Sequence, residues 1–297
     1  MPRFAANLSM MFAEYSFLDR FAAAADQGFK HVEYLFPYDF EPDHLARELG
    51  RCGLSQVLFN LPPGDWAAGE RGLACIPGRE KDFEASLELA IVYAKALDCK
   101  RVHAMAGNRP SGVPLEVLES VYRHNINLAG QRLADDGLEL CLEPINQYSM
   151  PNYFLRTQAQ AVGYIKQINL PNVRLQFDFF HCQMQEGNVS GKLREYHPFI
   201  GHCQIAGAPM RHEPDQGELN VSFLFDVLDM LDYQGFVGCE YIPAGKTAAG
   251  LKWLRQYGLV PPRHSLSCSR AKQRTAKGRV KASRPGVGRT RSGRPIL

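Results

Sequence analysis

Apolar and polar residues alternate along several short stretches of the chain, and longer segments with apolar residues at helical spacing lie between them. Alternation predicts β-strands, whereas apolar residues three or four positions apart predict α-helices. The clearest helix is Arg79 to Asp98, in which Phe83, Leu87 and Ala90 follow the helical period. The predicted strands are Phe4 to Met10, His31 to Leu35, Ser55 to Asn60, Arg101 to Met105, Leu138 to Glu143, Val173 to Asp178, Gly201 to Ala206 and Val237 to Pro243.

Helices are expected between these strands and after the last one. Glycine just after an apolar periodic segment, as at Gly28, is typical of a helix end. The predicted helices are Ser16 to Gln27, Glu41 to Cys52, Arg79 to Asp98, Pro114 to Asp136, Thr157 to Ile168, Gly191 to His197, Val221 to Gln234 and Thr247 to Tyr257.

The regular alternation of strands and helices predicts an α/β domain with a parallel sheet, either a closed barrel or a doubly wound sheet. Polar residues at the C-terminal ends of successive strands favour a single (β/α)8 TIM barrel, because barrel enzymes place their chemistry on that face. We place this barrel at residues 1–258. The sequence has no dinucleotide fingerprint after the first strand and no Walker P-loop, so we predict no nucleotide cofactor.

Oxygen-bearing side chains occur where four successive predicted strands end. Glu143 is followed at once by Pro144, which cannot donate to a sheet ladder, so the strand ends there. The next three strands end near Asp178, Gln204 and Glu240, each one β-α unit further along the chain. Adjacent strands lie roughly 5 Å apart, so these four side chains can converge on one point. The pattern predicts a shared site that one cation could bridge.

Charge is distributed unevenly along the chain. The 297 residues, 45% of them apolar, suffice for one barrel, and the formal net charge is +3. From Arg263 onward there are eleven Lys and Arg and no Asp or Glu, which leaves the preceding body near −8. Residues 259–297 are therefore predicted to be a disordered basic tail. Its charge suits nucleic acid, an anionic membrane or an import receptor, and a solvated terminus without function is the alternative.

The cysteines indicate a reducing compartment. All eight are scattered singly, without a C-x-x-C pair or zinc-ligand spacing, and Cys141, Cys203 and Cys239 fall inside predicted strands. We interpret them as reduced core residues of a cytoplasmic protein. The N-terminus reaches Glu14 without a long apolar run, so neither a signal peptide nor a membrane partner is expected.

Four ordered motifs resemble a known family. They are LCLEPIN around Glu143, QFDFFHCQ around Asp178, CQIAGAPMRHEP around Gln204 and GCEYIP around Glu240. Over about residues 3 to 258 the chain resembles the xylose-isomerase-like TIM-barrel superfamily and, within it, the hydroxypyruvate isomerase family. The resemblance implies conversion of hydroxypyruvate to 2-hydroxy-3-oxopropanoate (tartronate semialdehyde) without a redox cofactor. It also implies that Glu143 and Glu240 are the catalytic, proton-transferring pair.

A divalent metal is implied by the same resemblance. Related barrels bind one through Glu, Asp, His and Glu, and Gln204 stands at the histidine position here. The predicted metal ligands are therefore Glu143, Asp178, Gln204 and Glu240, whose oxygen donors favour Mg²⁺ or Mn²⁺ over zinc. A metal-free acid-base pair is the open alternative. Without a cation the converging carboxylates would repel one another, and at least one would hold a proton at a raised pKa.

Three further side chains are predicted to bind substrate. His181 resembles the superfamily histidine that contacts a substrate oxygen, and a packing role is its alternative. His103, on the fourth strand, could reach the same cavity or could be an ordinary core histidine. Arg211 could hold the substrate carboxylate through paired hydrogen bonds, or could instead form an ion pair with Glu213 or Glu218.

The connection from Leu61 to Gly78 is long and rich in proline and glycine. In a barrel it would lie on the C-terminal face, where it could cover the mouth. Trp66 is expected either to close the cavity against solvent or to anchor this loop.

Other functions share these features. The same chemistry would serve an isomerase of a longer 2-oxo acid, such as 2-oxotetronate, or a ketose epimerase. Endonuclease barrels of the superfamily would imply histidine-rich multinuclear zinc sites, whereas these strand ends supply mostly carboxylates. A non-catalytic scaffold is a further alternative. The favoured partner is a small 2-oxo hydroxy acid, with nucleic acid confined to the basic tail, and one sequence predicts no oligomeric state.

Overall fold

Eight parallel strands form a closed barrel in which the first strand pairs with the last. The computed structural model describes residues 1–261. The predicted (β/α)8 TIM barrel is confirmed, and each predicted strand is present with ends that differ by a few residues at most. The strands are β1 (Arg3–Asn7), β2 (His31–Glu33), β3 (Ser55–Asn60), β4 (Arg101–His103), β5 (Glu139–Leu142), β6 (Val173–Asp178), β7 (Ile200–Ile205) and β8 (Phe236–Cys239).

Ten α-helices lie within residues 1–261, two more than the pattern predicted. The additional helix directly follows β6, and the predicted last helix is divided in two at Leu251. The helices are α1 (Phe17–Asp26), α2 (Pro42–Cys52), α3 (Glu80–Ala96), α4 (Leu115–Ala134), α5 (Gln158–Ile168), α6 (Phe179–Gln185), α7 (Val189–Tyr196), α8 (Val221–Met230), α9 (Thr247–Gly250) and α10 (Lys252–Arg255).

Helix α6 begins where β6 ends, without an intervening loop. Asp178 is both the last residue of the strand and the N-cap of the helix, and its Oδ1 accepts a hydrogen bond of 2.7 Å from the Phe180 amide. A carboxylate in this position satisfies an amide that the first turn leaves unpaired. The helix has only seven residues, too few for its apolar spacing to be distinguished from the strand before it.

The main hydrophobic core joins the helices to the outside of the strands. Phe21 of α1, Leu45 of α2 and Phe83 of α3 are almost fully buried in it. The strand cysteines Cys203 and Cys239 are also buried and form no disulfide, as expected of core residues. This packing holds the eight strand ends in fixed relative positions, which the site requires.

The chain after the last helix continues along the barrel for a few residues. Leu259 packs against the core, and the Val260 carbonyl lies against Gly28, where no side chain would fit. The basic tail that was predicted to be disordered begins at Leu259, and its residues 262–297 lie outside the described residues. Among residues 1–261, no helix has both the length and the hydropathy needed to cross a membrane.

Candidate active site

A cavity of about 610 Å³ opens at the C-terminal end of the barrel. Glu143 and Glu240 line it directly after β5 and β8, and His181 lines it from α6. Arg211, in the connection after β7, completes the part of the cavity that contains predicted site residues. Residues more than sixty positions apart in sequence therefore meet at the face on which barrel enzymes act.

Three carboxylates and one imidazole, which we call the acid cluster, meet in this cavity. It consists of Glu143, Asp178, His181 and Glu240, all of them buried. One potential ligand atom from each residue lies within 4.8 Å of those of the others. Each acid is held by the end of a strand, so the barrel positions the cluster with little freedom.

Burial and mutual repulsion keep protons on the acid cluster. Burial, followed by the charges of Glu240 and Asp178, raises the pKa of Glu143 well above its usual value. Burial likewise raises the pKa of Glu240 to about 8, although Arg211 opposes the shift. The pKa of Asp178 rises to about 6, mainly through burial, against the lowering influence of Arg211 and of backbone hydrogen bonds. At neutral pH the acids therefore offer both a proton donor and a proton acceptor.

Two oxygens of the acid cluster are buried and have no hydrogen-bond partner among the described residues. They are Oε1 of Glu143 and Oδ2 of Asp178. An unpaired buried polar atom is costly, and native structures usually provide a partner. Three converging carboxylates with unpaired oxygens fit a divalent cation of the hard, oxygen-preferring type.

His181 presents an N–H group to the acid cluster. The Asn146 side-chain oxygen accepts hydrogen bonds from the amides of Tyr148 and Ser149, so its NH₂ group must face His181. That NH₂ group lies 2.6 Å from His181 Nδ1, which therefore accepts. Burial lowers the pKa of His181 well below its usual value, so the neutral ring carries its proton on Nε2, 3.7 Å from Asp178 Oδ2. In this tautomer Nε2 is a hydrogen-bond donor toward the cavity and has no lone pair for a metal ion, and the predicted contact of His181 with substrate stays a prediction.

Arg211 pairs with an acid of the cluster and not with Glu213 or Glu218, the alternative partners predicted from the sequence. Its Nη2 is 2.7 Å from Glu240 Oε2 and 4.0 Å from Asp178 Oδ2. The guanidinium carbon also lies 5.1 Å from the centre of the Phe180 ring. Its positive charge therefore offsets part of the repulsion within the acid cluster.

His103 contacts the acid cluster through Glu143 but does not line the cavity. It is the last residue of β4, it is fully buried, and its Nδ1 lies 3.6 Å from Glu143 Oε2. Burial lowers the pKa of His103 to about 3, so the ring is neutral. It is not among the residues that line the cavity, and its contact with substrate stays a prediction.

Gln204 belongs to a second buried group, the Glu33 network, which consists of Asn7, Glu33, His202 and Gln204. Glu33 accepts hydrogen bonds from His202 Nε2 at 2.7 Å, from Gln204 Nε2 at 2.8 Å and from Asn7 Nδ2 at 3.1 Å. The Asn7 amide also lies 3.1 Å from Glu240 Oε1. Gln204 Oε1 accepts from Gln176 at 2.6 Å, so both polar ends of this side chain have protein partners and its role as a metal ligand stays a prediction.

Glu33, Asn7 and His202 were not predicted as site residues. Glu33 ends β2 in the same way that Glu143 follows β5, but the apolar residues after Glu33 extended the predicted strand to Leu35. His202 lies two positions before Gln204, hence on the same face of β7. Both signals were present in the sequence, and neither reveals the contact across the barrel.

Comparison with known proteins supports this description. Residues 21–257 match the family described as xylose isomerase-like TIM barrel. A 2-oxo-tetronate isomerase of Cupriavidus necator is 50% identical over 257 residues, which cover 86% of this chain and 99% of the relative. The hydroxypyruvate isomerase of Escherichia coli is 43% identical over 257 residues, covering 86% and 100%. A crystal structure titled AP endonuclease, family 2, from Brucella melitensis has a TM-score of 0.85 at 50% identity, covering 86% and 99%.

The fold and the acid cluster define a (β/α)8 barrel enzyme with a carboxylate-rich site. The chain belongs to the xylose isomerase-like TIM-barrel family. The resemblance to the hydroxypyruvate isomerase family is confirmed, and the relatives establish isomerisation as the class of reaction.

Proposed function

We propose that this protein isomerises hydroxypyruvate to 2-hydroxy-3-oxopropanoate by moving protons between two carbons. The observation that carries the proposal is the pair of buried carboxylates, Glu143 and Glu240, which line one cavity from the ends of β5 and β8 and have oxygens within 4.8 Å of each other. The named relatives support the substrate class, a small 2-oxo hydroxy acid. We place the reaction in the cytoplasm, on the basis of buried cysteines such as Cys203 and Cys239 that form no disulfide.

The reaction requires one proton to leave C3 and another to reach C2. Loss of the C3 proton gives an enediolate, and protonation at C2, with transfer of the hydroxyl proton from O3 to O2, gives the aldehyde. One glutamate acts as the base and the other as the acid. Burial raises the pKa of both, so one carboxyl keeps its proton at neutral pH and can act as the acid, while the charge of Arg211 opposes the rise in both and favours an ionised partner that can act as the base.

Other residues of the site orient the substrate and balance charge. The N–H of His181 donates to a substrate oxygen on which negative charge develops. The guanidinium of Arg211 remains beside Glu240 and Asp178 and favours their ionised forms when the base is needed. His103, neutral and in contact with Glu143, limits the positions that this carboxylate can adopt.

A divalent cation, Mg²⁺ or Mn²⁺, fits the same site. Glu143, Asp178 and Glu240 would hold it, with Gln204 as the predicted fourth ligand. When bound, such an ion supplies electrostatic stabilisation of negative charge on the substrate oxygens. The unpaired oxygens of Glu143 and Asp178 support this part of the proposal.

Proton NMR of hydroxypyruvate in heavy water tests the function and both glutamates together. Wild-type protein is expected to form the aldehyde product with deuterium at C2. Glu240→Gln and Glu143→Gln are each expected to lower product formation by about 10²- to 10⁴-fold, the usual contribution of a general acid or base. The variant that lacks the acid should still exchange the C3 proton for deuterium, whereas the variant that lacks the base should not.

The control variant is Glu84→Gln, which removes an exposed carboxylate from α3 and should leave product formation unchanged. Parallel samples with Mg²⁺ and with EDTA, the latter verified as metal-free, determine whether the cation is required. Wild-type rates in both site variants would contradict the proposed roles. Absence of turnover in folded, metal-loaded wild type would contradict the proposed substrate and would favour a non-catalytic function.

Isomerisation of 2-oxotetronate is the second candidate function. The 50% identical relative carries that name, and a cavity of about 610 Å³ has room for a carbon chain longer than that of hydroxypyruvate. The comparison of kcat/KM for the two acids decides between them. A higher value for the four-carbon acid would transfer the proposal to that substrate without changing the roles of the glutamates.

A further inference from the structure

The connection between β3 and α3 is an ordered part of the cavity wall. Within residues 61–78, the Gly72 amide donates to the Pro63 carbonyl at 2.8 Å, and the Cys75 amide donates to the Ala106 carbonyl at 2.8 Å. The second bond attaches this connection to the segment after β4. Hydrogen bonds within the long loop and to the segment after β4 therefore hold it against the barrel mouth.

Glu70 stabilises the outer part of this connection. Its carboxylate accepts from the Asp65 amide at 2.5 Å and pairs with Arg79 Nη1 at 2.5 Å. At Gly72 the backbone has a φ of +109°, and a side chain there would collide with the Met105 backbone. These contacts place the residue between them, Arg71, at the rim of the cavity.

The guanidinium of Arg71 is oriented before any ligand arrives. Its carbon lies 3.8 Å from the centre of the Trp66 ring, a cation–π contact. Its Nη1 donates to the carbonyls of Trp66 at 3.1 Å and Glu70 at 2.8 Å. Trp66 in turn packs on Phe36 at 5.2 Å, so it anchors the loop while also lining the cavity. No group of residues 1–261 bonds to the other two nitrogens of the fork, Nε and Nη2, which can therefore bind a ligand.

Arg71 and Arg211 differ in their partners, although both line the cavity. Arg211 is already paired with Glu240 and lies near Asp178. In the part of the chain from residue 1 to 261, no carboxylate lies within ion-pair distance of Arg71. A partly buried cation without an acidic partner, facing a cavity, is a receptor for an anion.

We propose that Arg71, stacked on Trp66, binds the carboxylate of the substrate and selects 2-oxo acids over neutral ketoses. The inference rests on the proposed function and deepens it. Because the acid cluster repels the substrate carboxylate, this group binds elsewhere in the cavity. The reacting carbons C2 and C3 lie at Glu143 and Glu240, and the C1 carboxylate points away from them toward the rim. Arg211 keeps its place beside the acids, so the carboxylate contact predicted for it passes to Arg71.

Steady-state kinetics on two substrates test the assignment. Dihydroxyacetone has the same ketone and hydroxymethyl group as hydroxypyruvate but no carboxylate. Arg71→Gln is expected to raise KM for hydroxypyruvate about 10- to 100-fold, the value of a hydrogen bond to a charged group, while kcat changes little. The preference in kcat/KM for hydroxypyruvate over dihydroxyacetone should fall by the same factor. Arg71→Lys should recover only part of it, because a lysine lacks the planar fork.

Arg109→Gln is the matched control. Arg109 is exposed, follows β4 on the same face of the barrel and lies outside this cavity. Its replacement by glutamine therefore removes the same charge as Arg71→Gln without changing a contact with the substrate. Its KM values and substrate preference should equal those of the wild type. An equal rise in KM for Arg109→Gln would show that the rise for Arg71→Gln comes from the loss of general electrostatic attraction, and it would overturn the assignment.

Tryptophan fluorescence measures carboxylate binding without turnover. The protein has two tryptophans, Trp66 beneath the Arg71 guanidinium and Trp253 in the core. Glycerate, a non-reacting three-carbon acid, should change the fluorescence of the wild type with saturation, whereas glycerol should not. Arg71→Gln should shift the glycerate titration about 10- to 100-fold to higher concentration.

The two readouts separate the two proposals. If the wild type isomerises no 2-oxo acid but binds glycerate through Arg71, the proposed function fails and the anion site stands. If turnover is normal and Arg71→Gln leaves both KM and the glycerate titration unchanged, the anion site is wrong and the proposed function stands. A loss of kcat together with thermal stability, at constant KM, would mark Arg71 as merely structural and would also overturn the inference.

Discussion

Two buried carboxylates at the same end of the barrel have opposite surroundings. Glu33 accepts three hydrogen bonds, from His202, Gln204 and Asn7. Glu143 has an oxygen without any hydrogen-bond partner among the described residues, and burial raises its pKa well above the usual value. Within residues 1–261, the protein therefore satisfies the hydrogen-bonding capacity of the first acid but not that of the second.

This difference indicates that the Glu33 network positions other side chains, whereas the acid cluster is free to interact with a ligand. A fully hydrogen-bonded network restricts the orientation of its members. The Asn7 amide lies 3.1 Å from Glu33 and 3.1 Å from Glu240, so the Glu33 network determines where Glu240 points. The acid cluster, by contrast, stores electrostatic repulsion that a cation or a proton relieves.

The largest expected effect is on the pH dependence of stability. In the folded state, burial raises the pKa of Asp178 to about 6 and that of Glu240 to about 8. A folded state that holds extra protons loses stability as pH rises, by on the order of 1 kcal/mol per pH unit for each such proton. Metal-free protein should therefore lose stability between about pH 4 and pH 8, which urea unfolding across this range would measure.

Cation addition provides the contrast for that experiment. Saturating Mg²⁺ or Mn²⁺ should remove most of the slope, because the ion replaces the protons between Glu143, Asp178 and Glu240. A metal-free protein whose stability stays constant from pH 4 to pH 8 would show that the acid cluster is not strained.

The next effect comes from the same substitution made in the two carboxylates. Glu33→Gln replaces one acceptor oxygen by a donor that faces the donors of His202 or Gln204, and should destabilise the fold by about 3 kcal/mol. Glu143→Gln removes a repulsive charge and should leave the metal-free fold equally stable or more stable at pH 8. Chemical denaturation of both variants measures the two free energies of unfolding. Equal losses would mean that the two carboxylates do not differ in the way described.

The smallest effect concerns the space reserved for Glu33. Gly238, in β8, lies so close to the Glu33 carboxylate that an added methyl group would overlap it. Gly238→Ala should therefore cost about 1 to 3 kcal/mol, the usual price of overpacking, and should lower kcat by displacing the Glu33 network. Gly163→Ala in α5 meets open space and should be neutral or stabilising by up to about 1 kcal/mol. Thermal unfolding of the two alanine variants, measured side by side, tests the difference.

The strands and the principal acids follow from local sequence. Alternation and the proline after Glu143 are sufficient to place β5, and the spacing of one β-α unit is sufficient to place Asp178 and Glu240 at the same face. These signals depend on backbone hydrogen bonding and side-chain direction, which neighbouring residues determine. Helix α6 was missed because its N-cap, Asp178, is also the end of a strand, so no loop marks the change.

Contacts across the barrel could not be predicted in this way. Glu33 meets His202 from a position 169 residues earlier, and Arg211 approaches Glu240 from another strand connection. Contacts between residues so far apart leave no periodic pattern in the sequence from which they could be predicted. The same is true of Arg71, whose lack of an acidic partner is a property of the folded surface.

The sequence by itself determined the order of the eight strands and placed Glu143, Asp178 and Glu240 at strand ends, because these features depend on short-range patterns repeated along the chain. Only the tertiary structure decided which buried acids are satisfied by the protein and which remain open to a ligand. The reason is physical, since the pKa of a carboxyl group depends on burial, on nearby charges and on hydrogen bonds from residues that closure of the barrel brings together.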